Sequence, residues 1–380
     1  MQFELTDDQR MIRDMVREFA EKEIMPVASK HDHEHTFPEA TAKRMGELGL
    51  LGITVPEQYG GPGADYISFA VVAEEIARAC ASHSVIFGAC ASLTVSPILN
   101  WGNEEQKQEW LPKLASGGAM GCYALTEPTA GSDAGSLLTK ATRDGDEYVL
   151  SGQKVYISNG AVADVCIAFA RTDPDSKDAR GVSAFIVPTD TEGFRVGKNE
   201  EKMGLNASYT NQIFFEDVRI PAENILGKEG DGFKVAMSTL DVGRIMAASG
   251  STGIARAAME DSIAYAKERV QFGVPIASHQ AIQWKLANMD VNIAAARQLY
   301  LKAAWLKDQG KPFTVEASRA KLFASEMAMD ATLDGVQIHG GNGYTKDYNV
   351  ERYVRDIKIF EIFEGTSEVQ RMVIARSLLS

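Results

Sequence analysis

One glutamate near the C-terminus stands in an unusual chemical setting. Glu364 follows an apolar run, residues 359–363, that contains two isoleucines and two phenylalanines, and it precedes a flexible glycine and a hydroxyl pair. Loss of water disfavours a charged carboxylate and raises its pKa, so the group becomes a better proton acceptor near neutral pH. Glu364 is therefore a candidate general base. From these residues alone, a glutamate in the last turn of a helix, with Thr366 capping the next helix, explains the pattern equally well.

Length and composition limit the molecule that holds this glutamate. A chain of 380 residues predicts two or three domains. Apolar content of 45% and charged content of 24% are typical of a globular protein. The net charge of −13 argues against binding to nucleic acid or to an anionic membrane surface. The four cysteines form no Cys-x-x-Cys pair and predict buried thiols in a reducing compartment.

The sequence shows no targeting or membrane-spanning segment. No basic segment followed by an apolar one is visible at the N-terminus, so we expect no signal or transit peptide, a cytoplasmic location and a prokaryotic origin. The longest uncharged stretch, residues 79–103, is interrupted by polar residues and proline. It predicts buried helices inside a globular domain rather than a membrane span.

Hydrophobic periodicity predicts three consecutive regions. The first ~120 residues have helical spacing, with a capping box at Thr6 and Gln9 and with Pro26 ending the first helix. Short runs of β-branched and aromatic residues follow, and Asp144-Gly145 and Ser151-Gly152 give turn signals between them. Helical spacing returns near Gly232 and is long enough for a bundle. The predicted fold class is a multidomain α+β protein with an N-terminal helical domain (1–118), a middle antiparallel β domain (119–227) and a C-terminal four-helix bundle domain (228–380).

Several catalytic motifs are absent from the sequence. It contains no dinucleotide-binding glycine fingerprint after a strand, no phosphate-binding Gly-Lys-Ser/Thr loop and no Gly-x-Ser-x-Gly elbow. Residues 31–35 (His-Asp-His-Glu-His) resemble a metal cluster, but they follow the break at Pro26. We expect them to form an exposed connector and predict no metal site. His83 and His339 lie in apolar helical context and are expected to be satisfied core histidines.

Three further segments could contact a ligand. Residues 126–133 form a turn rich in hydroxyls and glycine, which offers donors to a phosphate or to a polar ring edge. Tyr156 and Ser158 alternate along a strand and share a face, where they could cover a flat heterocycle or pack in a core. Residues 337–344 form a helix end followed by glycines, which suits close approach to a ligand or an ordinary C-cap.

Together, in this order and spacing, these segments resemble one family, the acyl-CoA dehydrogenases, over essentially the whole chain. Other segments that carry the resemblance are 215–221, 223–227, 268–273 and 353–356. The resemblance implies the acyl-CoA dehydrogenase fold and FAD bound without a dinucleotide-binding fingerprint. It implies desaturation of an acyl-CoA between C2 and C3, with proton removal by a carboxylate and hydride transfer to flavin N5. It also implies reoxidation by an electron-transfer flavoprotein and a homotetramer built as a dimer of dimers.

The resemblance also assigns roles to individual residues. Glu364 matches the catalytic base. Some members carry the base at the position that Gly243 occupies here, and glycine has no carboxylate. Ser132, Asp241, Arg244 and Gly365 match substrate-binding positions. The positions that match flavin contacts are Tyr123, Leu125, Thr126, Ser132, Tyr156, Ile157, Ser158, Thr366 and Glu368, with Arg269, Gln271, Phe272, Gln280, Gln337, Ile338, His339, Gly340 and Gly341 reaching the FAD of a neighbouring subunit.

The acyl group is less closely defined by the sequence. Short-chain members commonly have Gln in place of Gly250 and Thr in place of Phe360, and the residue before the base is Phe363 instead of the usual Tyr. Residues 83–97 contain no Arg or Lys, which disfavours a dicarboxylate substrate. We expect a saturated short- or medium-chain acyl-CoA. An acyl-CoA oxidase or an enoyl-CoA reductase on the same fold, or an inactive CoA-ester-binding partner of an electron-transfer complex, are the alternatives.

Overall fold

The N-terminal region of the molecule is helical. The computed structural model describes residues 4–176 and 178–380. The helices of the first region are α1 (Asp7–Phe19), α2 (Met25–Glu34), α3 (Glu39–Glu47), α4 (Tyr66–Ala79), α5 (Ala81–Ala91), α6 (Val95–Trp101) and α7 (Glu104–Ala115).

The start of this region bears out one prediction and corrects another. The capping box at Thr6 and Gln9 is confirmed, since the Thr6 Oγ1 accepts from the Gln9 backbone N–H at 3.3 Å. The prediction that Pro26 ends the first helix is wrong. A π-helical turn, Ala20–Ile24, links α1 to α2, and Pro26 lies in the first turn of α2. Ile24 and Met25 keep right-handed helical dihedrals, so the chain stays helical and the missing N–H of Pro26 falls where the π turn shifts the hydrogen-bond register.

The histidine-rich segment belongs to α2, so the prediction of an exposed connector is wrong. Asp32 is buried and its carboxylate lies 2.8 Å from the guanidinium of Arg355. Asp32, His33 and Glu351 lie close enough to share an ion, but Arg355 already pairs with both carboxylates. An ion pair therefore explains the acidic residues of this cluster without a metal.

The long uncharged stretch forms α5 and α6 in the protein core. Residues Ala81–Trp101 are the one helical stretch of the described chain with the length and composition to cross a membrane, and 89% of its apolar window is buried inside the protein. His83 on α5 is fully buried and its Nε2 lies 2.7 Å from Thr41 Oγ1. Its Nδ1 has no partner among the described residues, so the prediction of a satisfied core histidine holds for one nitrogen only.

The middle region is one mixed sheet with mostly antiparallel pairing. Its spatial order is β6-β7-β3-β2-β4-β5-β8, and β1 lies on β4. The β1–β4 pairing is parallel, with Gly121 opposite Val165, which departs from the purely antiparallel prediction. The strands are β1 (Gly121–Ala124), β2 (Lys140–Asp144), β3 (Glu147–Ser158), β4 (Val165–Arg171), β5 (Val182–Pro188), β6 (Phe194–Asn199), β7 (Thr210–Pro221) and β8 (Ile225–Leu226).

Strand β3 is continuous through Ser151-Gly152, where the sequence predicts a turn. Asp144 pairs with Glu147 across the predicted Asp144-Gly145 hairpin, but the second turn signal marks a bulge in the pairing with β7. A Cβ at Gly152 would lie 2.5 Å from the Oγ1 of Thr139. The glycine is therefore required by close approach of the neighbouring chain rather than by a reversal of direction.

The C-terminal region is a set of long helices. Helix α8 (Gly232–Glu268) runs through the centre of the protein, and the other elements are a short hairpin of β9 (Val270–Gln271) and β10 (Val274–Pro275), α9 (Gln280–Asp308), α10 (Thr314–His339), α11 (Val350–Ile357) and α12 (Ser367–Leu379). Buried side chains of α1, α4 and α5 share one core with those of α8, α9 and α10. The predicted domain limits at 118/119 and 227/228 fall in the α7–β1 and β8–α8 connections and stay predictions.

A buried ion-pair network fastens α4 to the C-terminal helices. Glu74 on α4 accepts hydrogen bonds from Arg256 on α8, at 2.7 Å, and from Arg297 and Tyr300 on α9. Burial acts to raise the pKa of Glu74, but the two guanidinium groups outweigh it and keep the pKa below its usual value. Because each charge has a partner, the network fixes the register of the helices that surround the site.

Candidate active site

The candidate base lies in a tight turn between two helical segments. Glu364 follows the 3-10 turn Lys358–Glu361 and precedes α12. Its φ is 56° and that of Gly365 is 89°, so both residues are in the left-handed region. A residue with a side chain adopts that conformation only where its surroundings enforce it. Glu364 is therefore outside any helix, whereas Thr366 does cap α12, with its Oγ1 3.3 Å from the Val369 N–H.

Side chains from three helices hold the carbonyl oxygens of this turn. The amide of Gln370 donates to the carbonyls of Glu364 at 3.1 Å and Gly365 at 2.8 Å. Lys321 on α10 donates to the carbonyl of Gly365 at 2.8 Å, and Arg244 on α8 approaches the carbonyl of Glu364 at 3.5 Å. These donors stabilise the left-handed backbone and point the Glu364 side chain away from the carbonyls.

The Glu364 side chain faces a cavity between the sheet and the long helices. The cavity is partly open to solvent and has a volume of about 220 Å³, which is below the roughly 300–1,000 Å³ of a typical small-molecule pocket. The lining is mostly apolar with a few polar groups. It is formed by Ala89, Leu93, Tyr123, Leu125, Thr126, Gly131, Ser132, Ala134, Tyr156, Ile157, Ser158, Met237, Leu240, Arg244, Phe363, Glu364, Gly365 and Val369.

The carboxylate of Glu364 has the properties of a base. Its Oε2 is buried and has no hydrogen-bond partner in the part of the chain that the structure describes. Burial raises the pKa of Glu364 to about 7, and the positive charges of Arg244 and Lys321 oppose that shift. A carboxylate with a pKa near 7 is about half deprotonated at neutral pH and is a stronger base than an exposed one.

The turn at Glu364 fits against α8 only because position 243 has no side chain. A Cβ built at Gly243 would lie 2.3 Å from the Oε2 of Glu364. Any larger residue at 243 would displace the carboxylate. The two positions therefore compete for the same space, and only one of them can supply a carboxylate in this chain.

The predicted flavin-binding residues of the β region line the same cavity. Tyr123, Leu125, Thr126 and Ser132 come from β1 and the loop after it. The hydroxyl of Tyr123 is buried without a partner within the described residues, and burial keeps the pKa of this phenol well above its usual value. An unpartnered buried donor is costly unless a ligand satisfies it. These residues fit a planar cofactor with polar edges.

Strand β3 supplies the other predicted contacts, although by a different geometry. Tyr156, Ile157 and Ser158 all line the cavity. Tyr156 has φ 60° and 69% of its side chain is exposed. The pairing with β7 shifts between Lys154 and Ile157, so the regular alternation that placed Tyr156 and Ser158 on one face does not apply. The bulge, rather than the two-residue period, presents three consecutive residues to the cavity.

A buried ion pair supports the cavity loop. Lys154 on β3 is fully buried, and its ammonium lies 2.8 Å from Glu127 Oε1 and 3.1 Å from the Leu125 carbonyl. Glu127 also accepts the backbone N–H groups of Leu138 at 2.5 Å and Thr139 at 2.9 Å. Burial lowers the pKa of Lys154 to about 8, and Glu127 opposes that shift. The pair fastens the start and the end of the loop that carries Thr126 and Ser132.

Residues predicted to reach a neighbouring subunit's FAD lie outside this cavity. Arg269, Gln271 and Phe272 belong to the β9–β10 hairpin region, and 95% of Phe272 is exposed. The remaining positions of this set lie at the start of α9 (Gln280) and around the end of α10 (Gln337, Ile338, His339, Gly340 and Gly341), where Ile338 and His339 are buried and the others are exposed. His339 Nδ1 lies 2.8 Å from the Gly335 carbonyl, in keeping with its predicted core role.

The two residues predicted to bind CoA, Asp241 and Arg244, are paired with each other, and their CoA-binding role stays a prediction. Asp241 and Arg244 form a buried ion pair at 2.6 Å, and Thr314 donates to Asp241 at 2.5 Å. Arg244 lines the cavity, whereas Asp241 stands behind it. Burial raises the pKa of Asp241, and Thr314 and Arg244 oppose that rise. Thr366 and exposed Glu368 are outside the cavity lining, at the start of α12.

Comparison with known proteins agrees with this arrangement. The family models for acyl-CoA dehydrogenase match residues 6–118 (N-terminal domain), 122–218 (middle domain) and 230–379 (C-terminal domain). The chain belongs to the acyl-CoA dehydrogenase family. The resemblance, the fold class and the oxidoreductase class predicted from the sequence are confirmed.

Individual members of the acyl-CoA dehydrogenase family match over almost their whole length. The chain is 49% identical to the short-chain specific acyl-CoA dehydrogenase of Clostridium acetobutylicum, covering 99% of both chains. It superposes on butyryl-CoA dehydrogenase from Megasphaera elsdenii with a TM-score of 0.98 and 45% identity, covering 100% of both. A chain in the structure of the electron transferring flavoprotein of Acidaminococcus fermentans matches with a TM-score of 0.98, 47% identity and 100% coverage of both.

Several residues of this acyl-CoA dehydrogenase site were not found in the sequence. Glu127, Lys154, Lys321 and Gln370 act behind the cavity and carry no motif of their own. The sequence position of Lys154 could have indicated a buried partner, because it stands in an apolar β run where an uncompensated charge is rare. Apolar wall residues such as Leu93, in the turn between α5 and α6, are distant in sequence from Glu364.

Proposed function

We propose that the chain catalyses FAD-dependent α,β-dehydrogenation of a short-chain acyl-CoA thioester, with Glu364 as the general base. The observation that carries this proposal is the buried, unpartnered Oε2 of Glu364 in the same cavity as the side chains suited to a flavin. FAD is the cofactor predicted from the resemblance and shared by the family, and when bound it accepts the hydride that leaves the β-carbon.

The protein's own residues prepare the proton transfer. Glu364 takes the α-proton, and its raised pKa lets it be deprotonated yet basic near pH 7. The apolar walls of Leu240 and Phe363 exclude water from the reacting atoms. The α-proton of a thioester is weakly acidic, so its carbonyl oxygen needs hydrogen-bond donors in the transition state. A backbone N–H of the 364–365 turn is the donor that we assign to this role.

The size of the acyl group follows from the packing behind Phe363. The ring of Phe363 lines the cavity and packs on Phe360 with centroids 4.7 Å apart. Phe360 is fully buried, and a Cβ at Gly250 would lie 3.2 Å from its ring. The aromatic ring therefore fills the space that a longer residue at 250 would take. The departures at Gly250 and Phe360 therefore compensate each other in volume, and this compensation favours a short acyl chain.

A charged acyl group is disfavoured by the walls of the cavity. Residues 83–97 contribute Ala89 and Leu93 to the lining, and neither carries a charge. The one cation in the lining, Arg244, is already paired with Asp241. A second carboxylate on the substrate would be desolvated without a partner, which is strongly unfavourable.

Electrons pass from the reduced flavin to an electron-transfer flavoprotein in this proposal, as the resemblance implies. The match to a chain in the electron transferring flavoprotein structure of Acidaminococcus fermentans supports this choice of acceptor. Comparing reoxidation by a bacterial electron-transfer flavoprotein with reoxidation by air separates a dehydrogenase from an oxidase. Faster reoxidation by air would favour the oxidase.

The proposed homotetramer is supported by exposed apolar side chains of the C-terminal region. Phe272, Trp284, Val291 and Leu333 are 95%, 60%, 65% and 50% exposed in the single chain. Large exposed apolar groups usually mark an interface. Light scattering coupled to gel filtration measures the mass directly, and a monomer at micromolar concentration would contradict this part of the proposal.

The central experiment replaces the base without changing its shape. In anaerobic mixing with butyryl-CoA, the Glu364→Gln variant is expected to retain FAD and bind substrate but to reduce flavin about 10²- to 10⁴-fold more slowly. Glu47→Gln is a matched control, because exposed Glu47 pairs with Arg44 and does not line the cavity. Normal flavin reduction by Glu364→Gln would contradict the proposed role of Glu364. No bleaching of wild-type flavin by acyl-CoA would favour an inactive binding partner.

A further inference from the structure

A buried lysine stands directly behind the candidate base. Lys321 on α10 is fully buried, and its ammonium donates to the carbonyl of Gly365 at 2.8 Å. Lysine is rarely buried without a carboxylate beside it, and no salt bridge of Lys321 is formed within residues 4–176 and 178–380. Its hydrogen-bond partner is instead the backbone of the turn that carries Glu364. The placement therefore calls for an explanation beyond packing.

The turn that Lys321 contacts is held in a conformation that a glutamate rarely adopts. Glu364 and Gly365 have φ values of 56° and 89°, and a left-handed residue with a side chain persists only when its surroundings enforce it. Gln370 shares the same carbonyl of Gly365 at 2.8 Å, so two donors converge on one oxygen. The two donors fix the peptide that follows Gly365, and Gln370 also donates to the carbonyl of Glu364 at 3.1 Å. The peptides on both sides of Gly365 are therefore held, and the turn keeps the left-handed conformation from which the Glu364 side chain enters the cavity.

The charge of Lys321 also acts on the carboxylate. The groups that influence Glu364 electrostatically are Arg244 on α8, Lys321 on α10 and the phenol of Tyr123 on β1. Arg244 is paired with Asp241, whereas the charges that act on Lys321 are the carboxylates of Glu364, Glu361 and Glu326 and the guanidinium of Arg244. Burial lowers the pKa of Lys321 to about 8, and Glu364 opposes that shift. Lys321 is thus still mostly an ammonium at neutral pH.

We propose that Lys321 is a positioning residue for the base: its ammonium holds the carbonyl of Gly365, fixes the left-handed turn and keeps the Glu364 carboxylate aimed into the cavity. This proposal rests on the proposed role of Glu364. Lys321 touches neither the cavity nor the reacting atoms, so it acts through Glu364 alone. Its positive charge gives it a second effect, which is to favour the deprotonated carboxylate.

The test compares two replacements of Lys321 in the FAD-loaded enzyme. Lys321→Met keeps the apolar stem and removes both the donor and the charge. Lys321→Gln removes the charge and keeps an N–H donor on a side chain that is one bond shorter. Arg319→Met is the matched control, because it removes a cation from the same helix whose side chain is 41% exposed and pairs with Glu316. Single-turnover flavin reduction by butyryl-CoA is measured from pH 5.5 to 9, together with FAD content and melting temperature.

The proposal predicts a distinct result for each variant. Lys321→Met is expected to reduce flavin about 10- to 100-fold more slowly at its pH plateau, as small misplacements of a base do. Its rising limb should move about one unit to higher pH, because an attractive charge is lost. Lys321→Gln is expected to show the same pH shift with a smaller loss of rate, and Arg319→Met neither change. If Lys321→Met does not fold, the pH profile and rate of Lys321→Gln test whether Lys321 positions the base.

Three outcomes would overturn the role of Lys321. They are a wild-type rate and pH profile in both variants, a loss of rate that simply follows lost FAD, or a loss of rate with an unmoved pH limb. Failure of the proposed function is a separate result, because it would appear as normal flavin reduction by Glu364→Gln in the presence of Lys321. A wild-type profile for Lys321→Met with an inactive Glu364→Gln would leave the base in place and remove only its positioning residue.

Discussion

Gly243 on α8 lies directly against the carboxylate of Glu364, and a Cβ at that position would stand 2.3 Å from Oε2. The absence of a side chain on one helix is thus part of the geometry of a base that belongs to a distant turn. A side chain at 243 would force the carboxylate to move from this position toward the cavity that it faces. Position 243 therefore offers a direct way to test how accurately the base must be placed.

Replacement of Gly243 by alanine is expected to slow flavin reduction by about 10²-fold, because the new methyl group would displace the carboxylate. FAD content should stay unchanged, since position 243 does not line the flavin side of the cavity. The control is Gly335→Ala on α10, where a Cβ would meet Ser262 Oγ at an ordinary 3.5 Å. Stopped-flow reduction by butyryl-CoA measures both variants. Wild-type reduction by Gly243→Ala would show that the base tolerates displacement.

The rate of flavin reduction should rise with pH through about 7. Burial raises the pKa of Glu364 to about 7, and only the deprotonated carboxylate accepts the α-proton. The rate is therefore low at pH 5.5 and half of its maximum near the pKa, and loss of the Lys321 charge around pH 8 limits the plateau above it. Single-turnover measurements across this range give the profile. A rate that is independent of pH between 5.5 and 8 would contradict a base with this pKa.

Glu364→Gln should stabilise the protein at pH 8. The pKa of Glu364 is about 7 when folded, above the ordinary value of 4.5, so the folded state prefers the protonated carboxyl. The stability that this group contributes is present below pH 4.5 and is lost as pH rises through 7. The amide of glutamine stays neutral at every pH, so the variant does not lose this stability, which amounts to about 1–3 kcal/mol. Melting temperatures of apoprotein at pH 5 and pH 8 test it, and an equal difference at both values would refute this linkage.

Breaking the Lys154–Glu127 pair should destabilise the cavity loop more than removing both partners. Lys154→Met leaves Glu127 buried without its cation, which costs about 3–5 kcal/mol. We expect weaker FAD retention, because Glu127 fastens the loop that carries Thr126 and Ser132. The double variant Lys154→Met/Glu127→Gln is the control and should recover part of the loss. Urea unfolding and FAD titration measure both effects, and strictly additive losses would contradict coupling of the pair.

Shortening Phe360 should extend the range of acyl chains. Phe360 is fully buried, packs on Phe363 and fills the space beside Gly250. Phe360→Leu is expected to raise kcat/KM for octanoyl-CoA relative to butyryl-CoA about 10-fold, within the 1–3 kcal/mol that a change of hydrophobic volume gives. A panel of C4 to C12 thioesters measures the ratio. An unchanged ratio in a folded variant would place the end of the acyl cavity elsewhere.

The sequence already contains the local features of this molecule. The capping box at Thr6, the hairpin at Asp144-Gly145 and the three successive regions follow from residue type and spacing, whereas the meaning of the glycine at 243 comes from the resemblance. The resemblance adds the family and the base, because Glu364 and the flavin-contact segments stand in recognisable order. Each of these depends on neighbours along the chain or on the pattern as a whole, so no coordinates are needed.

Only the tertiary structure decided how these pieces act together. Pro26 and Ser151-Gly152 were misjudged because a π turn and a bulge depend on what packs beside them. Lys154 and Lys321 could not be assigned partners, since Glu127 and the carbonyl of Gly365 are 27 and 44 residues away along the chain. The strength of Glu364 as a base likewise comes from burial and from charges on other helices. Sequence spacing states which groups are present, whereas desolvation and distance, which set their chemistry, exist only after the chain has folded.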